Sequence, residues 1–250
     1  MAEYQRDIDI DNLWPTIRLE AESVVKTCPL LTDFYQQNIL QHSSYDQALS
    51  YVLAEKLADN SKNIAQWQQF IHQLINKNTT ISQATIKDLL CQLQSNASIK
   101  DHYTPLLYFV GYQALQCYRL AHYCWLNNQL AMANYIQGRM VSLFGVDIHP
   151  GAVIGEGIFM DHAVGIVIGE TAVIENGVTL FQGVTLGGTG KESGDRHPKV
   201  RQGAFIGAGA MVLGNIEIGK NAKVGSGAIV VKAVPPETTV VGPVAKLLSR

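Results

Sequence analysis

The apolar positions of this chain follow two rhythms, and the change between them falls near residue 146. Before it, apolar residues recur at three- and four-residue spacing, the mark of amphipathic helices. Ala48, Leu49, Val52, Leu53 and Leu57 form one such stripe, and Ser44 followed by Gln47 supplies a capping-box signature ahead of it. Similar stripes cover 64–75 and 81–93. Near the N-terminus, Asp11 or Asn12 can cap a helix running through Arg18 and Val25, with Pro15 accommodated in its first turn. After Thr104-Pro105 a long apolar stretch to residue 144 predicts helix, with Leu107, Val110, Ala114, Tyr118, Ala121 and Trp125 roughly along one face. Gly111 and Gly138 weaken that stretch locally without breaking its pattern.

From Ile148 the period becomes six. The series begins with Ile148, Ile154 and Met160 and continues with Ile168, Ile174, Leu180 and Leu186. Val200, Ile206, Val212, Ile218, Val224 and Val230 complete it. Four residues after many of these stands a small or branched residue: Ala152, Ala172, Val178, Val184, Ala204, Ala210, Ala222 and Ala228. Such a repeat describes short strands joined by tight corners and wound as a parallel β-helix. The aliphatic side chain fills the interior and the small one fits beside a corner. The predicted fold class is therefore α+β: a helical domain at 1–145, a β-helix at 146–235 and a short C-terminal segment at 236–250.

A regular solenoid is a scaffold, so chemistry is expected where the rhythm fails. Two residues are added near 165–167, just after Asp161-His162. A longer excursion at 187–199 carries Gly187, Gly188, Gly190 and Gly194 together with Arg196 and His197. Strands cannot absorb these residues, so they form a loop standing off the coil, and composition alone fits a solvated loop as well as a site.

Composition narrows the field. The 250 residues are 47% hydrophobic and 16% charged, with a net charge of -2. No long basic run is present, which argues against a nucleic-acid partner. The segment 1–11 is acidic and polar, unlike a secretory leader. The apolar stretch 104–144 is interrupted by Arg119, His122, Asn127, Asn128 and Arg139, short of the ~20 uninterrupted residues a membrane span needs. Cys28, Cys91, Cys117 and Cys124 lack paired spacing and read as free thiols of a reducing compartment. The expected location is cytoplasmic.

Several runs together resemble the serine O-acetyltransferases, a family of hexapeptide-repeat acyltransferases. They are Val146-Asp147-Ile148-His149-Pro150, Met160-Asp161-His162-Ala163, Thr185-Leu186-Gly187-Gly188-Thr189-Gly190-Lys191 and Gly194-Asp195-Arg196-His197-Pro198-Lys199. Gly214-Asn215-Ile216-Glu217 and Thr104-Pro105-Leu106-Leu107-Tyr108 belong to the same set, and the similarity runs from about Trp14 to Gly242. The repeat alone indicates an acyltransferase of this fold; the Asp-His and Asp-Arg-His-Pro-Lys elements point to the serine enzyme.

The resemblance implies a left-handed coil and acetyl transfer from acetyl-CoA to the hydroxyl of L-serine, a step in cysteine biosynthesis, with no metal. A serine hydroxyl attacks a thioester only as a base removes its proton, and histidine suits that task near neutral pH. His162 is the candidate base, and by resemblance Asp147 orients its imidazole, though an aspartate there can equally cap a corner. Arg196 suits the substrate carboxylate through its planar fork, Asp161 the ammonium, and His197 lies beside Arg196. For CoA the resemblance points to Gly188, Thr189, Ala208, Lys223 and Ser226. His149, before Pro150, reads as structural, and His42, His72, His102 and His122 are assigned no role.

Two departures accompany the resemblance. The family carries an acidic residue before its Thr-Pro-Leu-Leu helix, where this chain has Asn96, with Asp101 as the nearest substitute. The family's tail, which docks into cysteine synthase, has no counterpart after Leu247-Leu248-Ser249-Arg250, so that complex is not expected by the usual route. The family also implies trimers paired into a hexamer, and free L-cysteine occupying the serine pocket as an inhibitor. Three rival readings stand beside this one: acetyl transfer to another hydroxyl such as a sugar, a zinc hydratase using His149, His162 and His197, and a non-catalytic platform.

Overall fold

The computed structural model describes residues 9–59, 63–191 and 193–246; residues 247–250, on which the tail reading rests, lie outside that set. Helix α1 spans Ile10–Thr27 and is capped by Asp9, whose carboxylate accepts from Asp11 N. The helix thus starts before the expected caps. Pro15 falls inside it, beyond the first turn, and lacks the N–H that would bond the Asp11 carbonyl. A 3₁₀ turn, the short helix α2 (Thr32–Tyr35) and a π turn then lead to α3 (Tyr45–Leu57). The Ser44 hydroxyl caps α3 by accepting from Gln47 N, while Gln47 Oε1 reaches back to Ser43 N rather than to Ser44. Helices α4 (Ile64–Lys77) and α5 (Thr79–Ser95) follow the predicted stripes.

The stretch 104–144 is three helices rather than one: α6 (Thr104–Tyr108), α7 (Val110–Leu126) and α8 (Leu130–Phe144). Phe109 turns extended between the first two, and Asn128 adopts φ 61° between the last two. Asparagine tolerates that left-handed conformation better than most residues, so the chain folds back and packs α8 on α7.

The solenoid then winds as five coils of short strands. The first holds β1 (Asp147–Ile148), β2 (Val153–Ile154) and β3 (Phe159–Asp161); the second β4 (Val167–Ile168), β5 (Val173–Ile174) and β6 (Thr179–Phe181). The third holds β7 (Thr185–Gly187), β8 (Lys199–Val200) and β9 (Phe205–Ile206). The fourth holds β10 (Met211–Leu213), β11 (Glu217–Ile218) and β12 (Lys223–Val224), and β13 (Ile229–Val230) and β14 (Thr239–Val240) close the series. They stack as three parallel sheets: β1-β4-β7-β10-β13, β2-β5-β8-β11 and β3-β6-β9-β12-β14. Register is strict, Ile148 lying against Ile168, and Leu186 against both Ile168 and Val212. Every aliphatic residue of the six-residue series is buried, Ile154 being the most exposed at 9%. Because β14 pairs with β12, the solenoid continues past residue 235.

Helices and coil share one core. An ideal Cβ on Gly111 of α7 would lie 2.2 Å from the Met160 carbonyl oxygen of β3, so the helix backbone rests directly on the first coil. Arg119 of α7 donates to the Asp88 carboxylate of α5 through Nε (2.9 Å) and Nη2 (2.7 Å), and also to the Gly155 carbonyl (2.7 Å). Asp88 accepts in turn from Ile158 N at 3.0 Å. This buried ion pair fastens the segment leading into β3. Tyr118 and His122 add hydrogen bonds to the Ala152 and Pro150 carbonyls. All four cysteines are free, with Cys117 and Cys124 buried. Among the described residues no helix is long and apolar enough to cross a membrane.

Candidate active site

The first register break lies between β3 and β4. The two added residues are absorbed by consecutive left-handed conformations at His162 (φ 56°) and Ala163 (φ 60°). Such angles are costly for residues with a Cβ and persist only where the surroundings impose them. Tight bonds do so here: Ala163 N donates to Asp161 O (2.6 Å), Val164 N to His162 O (2.8 Å), and Gly165 N to Gly145 O (2.7 Å). Ala163 is fully buried, whereas the His162 side chain is 73% exposed. The kink pushes an imidazole outward from an otherwise smooth corner.

The carboxylate nearest that ring is Asp161, with Oδ2 3.5 Å from His162 Nε2. Asp147 and His162 are not hydrogen-bonded. Asp147 stands on β1 at the same edge, one coil below Val167, and its Oδ1 accepts from Gln137 Nε2 of α8 at 2.7 Å.

The second break carries the chain from β7 to β8. Its returning half is tied to the corner of the coil beneath it, at Gly169, Glu170 and Thr171. Arg196 Nη2 pairs with Glu170 Oε2 (2.8 Å), and Nη1 donates to Gly194 O (2.9 Å). That guanidinium holds the Glu170 carboxyl below the usual carboxylate range. Lys199 Nζ reaches Asp195 Oδ1 (2.5 Å), Thr171 O (2.7 Å) and His197 O (3.0 Å), and it lowers the Asp195 carboxyl likewise. Asn215, one coil above, donates to Asp195. His197 is 7% exposed and packs over Gly169. Burial, reinforced by the Arg196 charge, holds its imidazole below the ordinary 6.5. His149 accepts from Gly151 N at 3.0 Å and meets Trp125 edge to face.

These groups occupy two edges of the solenoid. At the edge where chains enter the β1-β4-β7-β10-β13 sheet, corners stack through Gly183 N to Val164 O, Gly209 N to Gln182 O, and Gly227 N to Ala208 O, each within 2.9 Å. The glycines there have φ between 67° and 82°, a region others rarely adopt. His162, Asp161, Asp147, Ala208 and Ser226 all belong to this edge. Gly188, Thr189, Arg196 and His197 belong to the exit edge, with Thr189 lying against Gly214. Gly169 is four positions beyond Gly165, roughly 13 Å at 3.3 Å per strand residue. Within one chain, then, the structure gathers each half of the expected site but does not join them. Lys223 lies apart, exposed on β12 and without an ion pair among the described residues.

Asn96 folds onto its own turn, its Oδ1 accepting from Ser98 N and Ser98 Oγ. Asp101 accepts from Thr104 N (2.7 Å) and Thr104 Oγ1 (3.0 Å) at the start of α6. Glu170, Thr171 and Gln137 escaped the sequence reading, and Lys199 entered it only as part of a motif, without a role. The signal for the first two was positional: a long loop must land on the corner one coil earlier. Among the described residues no three or more His, Cys, Asp or Glu side chains group as for a metal ion.

A three-sided parallel coil interrupted at two corners, with an exposed histidine at one and a basic loop at the other, defines a transferase of the hexapeptide class. The model for bacterial transferase hexapeptide repeats matches residues 197–232, and that for the serine acetyltransferase N-terminal region matches residues 13–117. The Haemophilus influenzae serine acetyltransferase is 46% identical over 96% of this chain and 90% of its own length. A Brucella abortus serine acetyltransferase in complex with coenzyme A superposes with a TM-score of 0.91 at 40% identity, covering 95% of each chain. The Neisseria gonorrhoeae enzyme in complex with serine gives 0.90 at 42% identity, over 96% of this chain and 98% of that one. A serine acetyltransferase in complex with cysteine gives 0.90 at 45%, over 97% and 100%. This chain belongs to the serine acetyltransferase family.

Proposed function

We propose that the chain transfers the acetyl group of acetyl-CoA to the hydroxyl of L-serine in the cytoplasm, giving O-acetyl-L-serine and CoA, with His162 as general base. The observation that carries this is the strained, outward-facing imidazole at a corner that continues upward through Ala208 and Ser226. Those corners climb from Val164 by three coil steps, roughly 14 Å at 4.8 Å per step. A pantetheine arm laid along them brings its thioester to His162. Gly188, Thr189 and Lys223 complete the CoA contacts, Lys223 through a phosphate.

His162 takes the hydroxyl proton as the serine oxygen attacks the thioester carbon. The tetrahedral oxyanion then collapses, the carbon–sulfur bond breaks, and the imidazolium returns its proton to the departing thiolate. Asp147 orients the ring. Gln137 engages one of its oxygens, and the other is assigned to the imidazole. Asp161 receives the substrate ammonium, and Arg196 with His197 the carboxylate. Glu170 and Gly194 O use two of the five guanidinium hydrogens, leaving donors for substrate. L-Cysteine carries the same ammonium and carboxylate and occupies this pocket as an inhibitor.

One amino acid cannot touch both edges of one coil, so the site is formed between neighbouring subunits. The outer face bearing Val167, Met211 and Ile229, which are 41%, 39% and 67% exposed, supplies an apolar ladder for such packing. Trimers built this way pair through their helical domains into a hexamer.

CoA release followed with L-serine, L-homoserine and a galactoside tests the reading. L-Serine is the expected acceptor, and His162→Ala lowers kcat by about 10²–10⁴ while CoA binding persists. A folded His162→Ala enzyme with undiminished turnover would end the proposal.

A further inference from the structure

The polar atom that ties the loop's return to the coil lies on the corner beneath it. Thr171 Oγ1 is 3.0 Å from Arg196 N, 3.1 Å from His197 N and 2.8 Å from His197 Nδ1. Backbone N–H groups can only donate, so these two take both lone pairs of the hydroxyl. Its hydrogen is left for an acceptor, and Nδ1 at 2.8 Å is better placed for it than the neighbouring Asp195 carboxylate. Thr171 N–H lies 3.2 Å from the same Nδ1 and can likewise only donate. His197 Nδ1 is therefore an acceptor twice over, and the hydrogen of the neutral ring resides on Nε2.

We propose that Thr171 is a positioning residue of the acceptor site, holding His197 in the tautomer whose Nε2–H is the donor offered to substrate. The ring lies over Gly169, where an ideal Cβ would stand 2.1 Å from Nε2. No other residue at 169 leaves the ring in place. On the loop side an ideal Cβ on Gly188 would be 3.6 Å from Nε2. The N–H thus sits between two bare backbones beside Arg196, a setting for one oxygen of a carboxylate whose other oxygen meets the guanidinium.

Protonating Nδ1 would break both bonds from Thr171. The charged and titratable groups facing the ring are Arg196, Glu170, Lys199 and His149. Only Glu170 favours the added charge, and it is already engaged by Arg196. The ring is thereby kept a neutral, directional donor rather than a general anion trap.

The inference rests on the acceptor-site reading of His197, but the tautomer can be measured without turnover. Selective ¹⁵N-histidine spectra of the intact protein, with His197 assigned by loss of its signals in His197→Gln, report which nitrogen carries hydrogen. Wild type and Thr171→Ser should show an unprotonated Nδ1 and a protonated Nε2 at pH 7, whereas Thr171→Val, left with only the longer backbone N–H contact to Nδ1, should show a measurable share of the other tautomer. In assays, Thr171→Val raises KM for serine about tenfold, as for one lost hydrogen bond. Thr171→Ser restores it, and KM for acetyl-CoA is unchanged in both. A wild-type Nδ1 bearing hydrogen overturns the proposal, as does a Thr171→Val protein with wild-type spectra and serine KM. Should Thr171→Val not fold, Thr171→Ala is judged by the same criteria. Inactivity of every protein toward serine alongside the expected spectra would refute the acceptor reading and leave the tautomer assignment standing.

Discussion

Gly111 and Gly138 each sit inside a helix, and the same substitution should move them in opposite directions. Replacing a helical glycine by alanine gains about 1 kcal/mol of backbone propensity. At Gly138 of α8 nothing lies within 4 Å of the added methyl, so Gly138→Ala keeps that gain. At Gly111 of α7 the methyl would stand 2.2 Å from the Met160 carbonyl oxygen and 2.9 Å from Met160 Cβ. Contact needs roughly 1 Å more, and the obstacle is backbone. Overpacking of this kind costs about 1–3 kcal/mol and more where the main chain must shift. Gly111→Ala is therefore destabilising by about 2 kcal/mol net if α7 lifts off β3, leaving the variants about 3 kcal/mol apart. In urea, with a slope near 2.5 kcal/mol/M, the midpoints should differ by roughly 1.2 M at equal protein concentration. Met160 stands two residues before His162, so Gly111→Ala should also lower turnover, while Gly138→Ala should not. Equal shifts of the same sign in both variants would refute the claim that α7 bears directly on β3.

Arg119→Met should cost about 3–5 kcal/mol, because it strands the buried Asp88 carboxylate and takes the donor from Gly155 O. Adding Asp88→Asn, which removes the stranded charge yet keeps an acceptor for Ile158 N, should recover part of that loss in the urea midpoint; equal midpoints would show that charge is not the cause. His197 titrates below its ordinary 6.5, so on acidification the unfolded chain takes the proton first and stability falls as pH drops from about 6.5 through the folded value. Between pH 7 and pH 5 the midpoint of wild type should therefore drop further than that of His197→Gln, and parallel curves would contradict the shift.

Period six was legible because it dictates which side chains face inward whatever their neighbours do. Ile148 and Val224 are buried for the same reason. The two breaks were legible too, as failures of that period. The split of 104–144 was not. Phe109 carries no glycine or proline signal, yet its extended backbone parts α6 from α7 two residues before Gly111 meets Met160. Thr171 looks like any corner residue until the returning loop is laid over it. Its hydroxyl gains meaning from residues some 25 positions later, a pairing that only coil stacking creates. Asp147 was found by resemblance, but its contact with Gln137 depends on α8 ending beside β1.

Separation of the two edges makes a demand that activity in mixed oligomers can test. If His162 of one subunit works with Arg196 of the next, then His162→Ala and Arg196→Ala abolish activity from opposite sides of the same site. In oligomers co-expressed from equal amounts of the two variants, a competent site needs an Arg196→Ala subunit supplying His162 beside a His162→Ala subunit supplying Arg196, in that order. Each condition holds half the time, so about a quarter of sites should regain both groups. Mixing the purified variants without subunit exchange should regain none. Were both edges to serve one substrate within a single chain, across roughly 13 Å of sheet, co-expression would stay at background. Recovery near a quarter separates these geometries, because no arrangement confined to one chain can combine a histidine and an arginine that no single chain possesses.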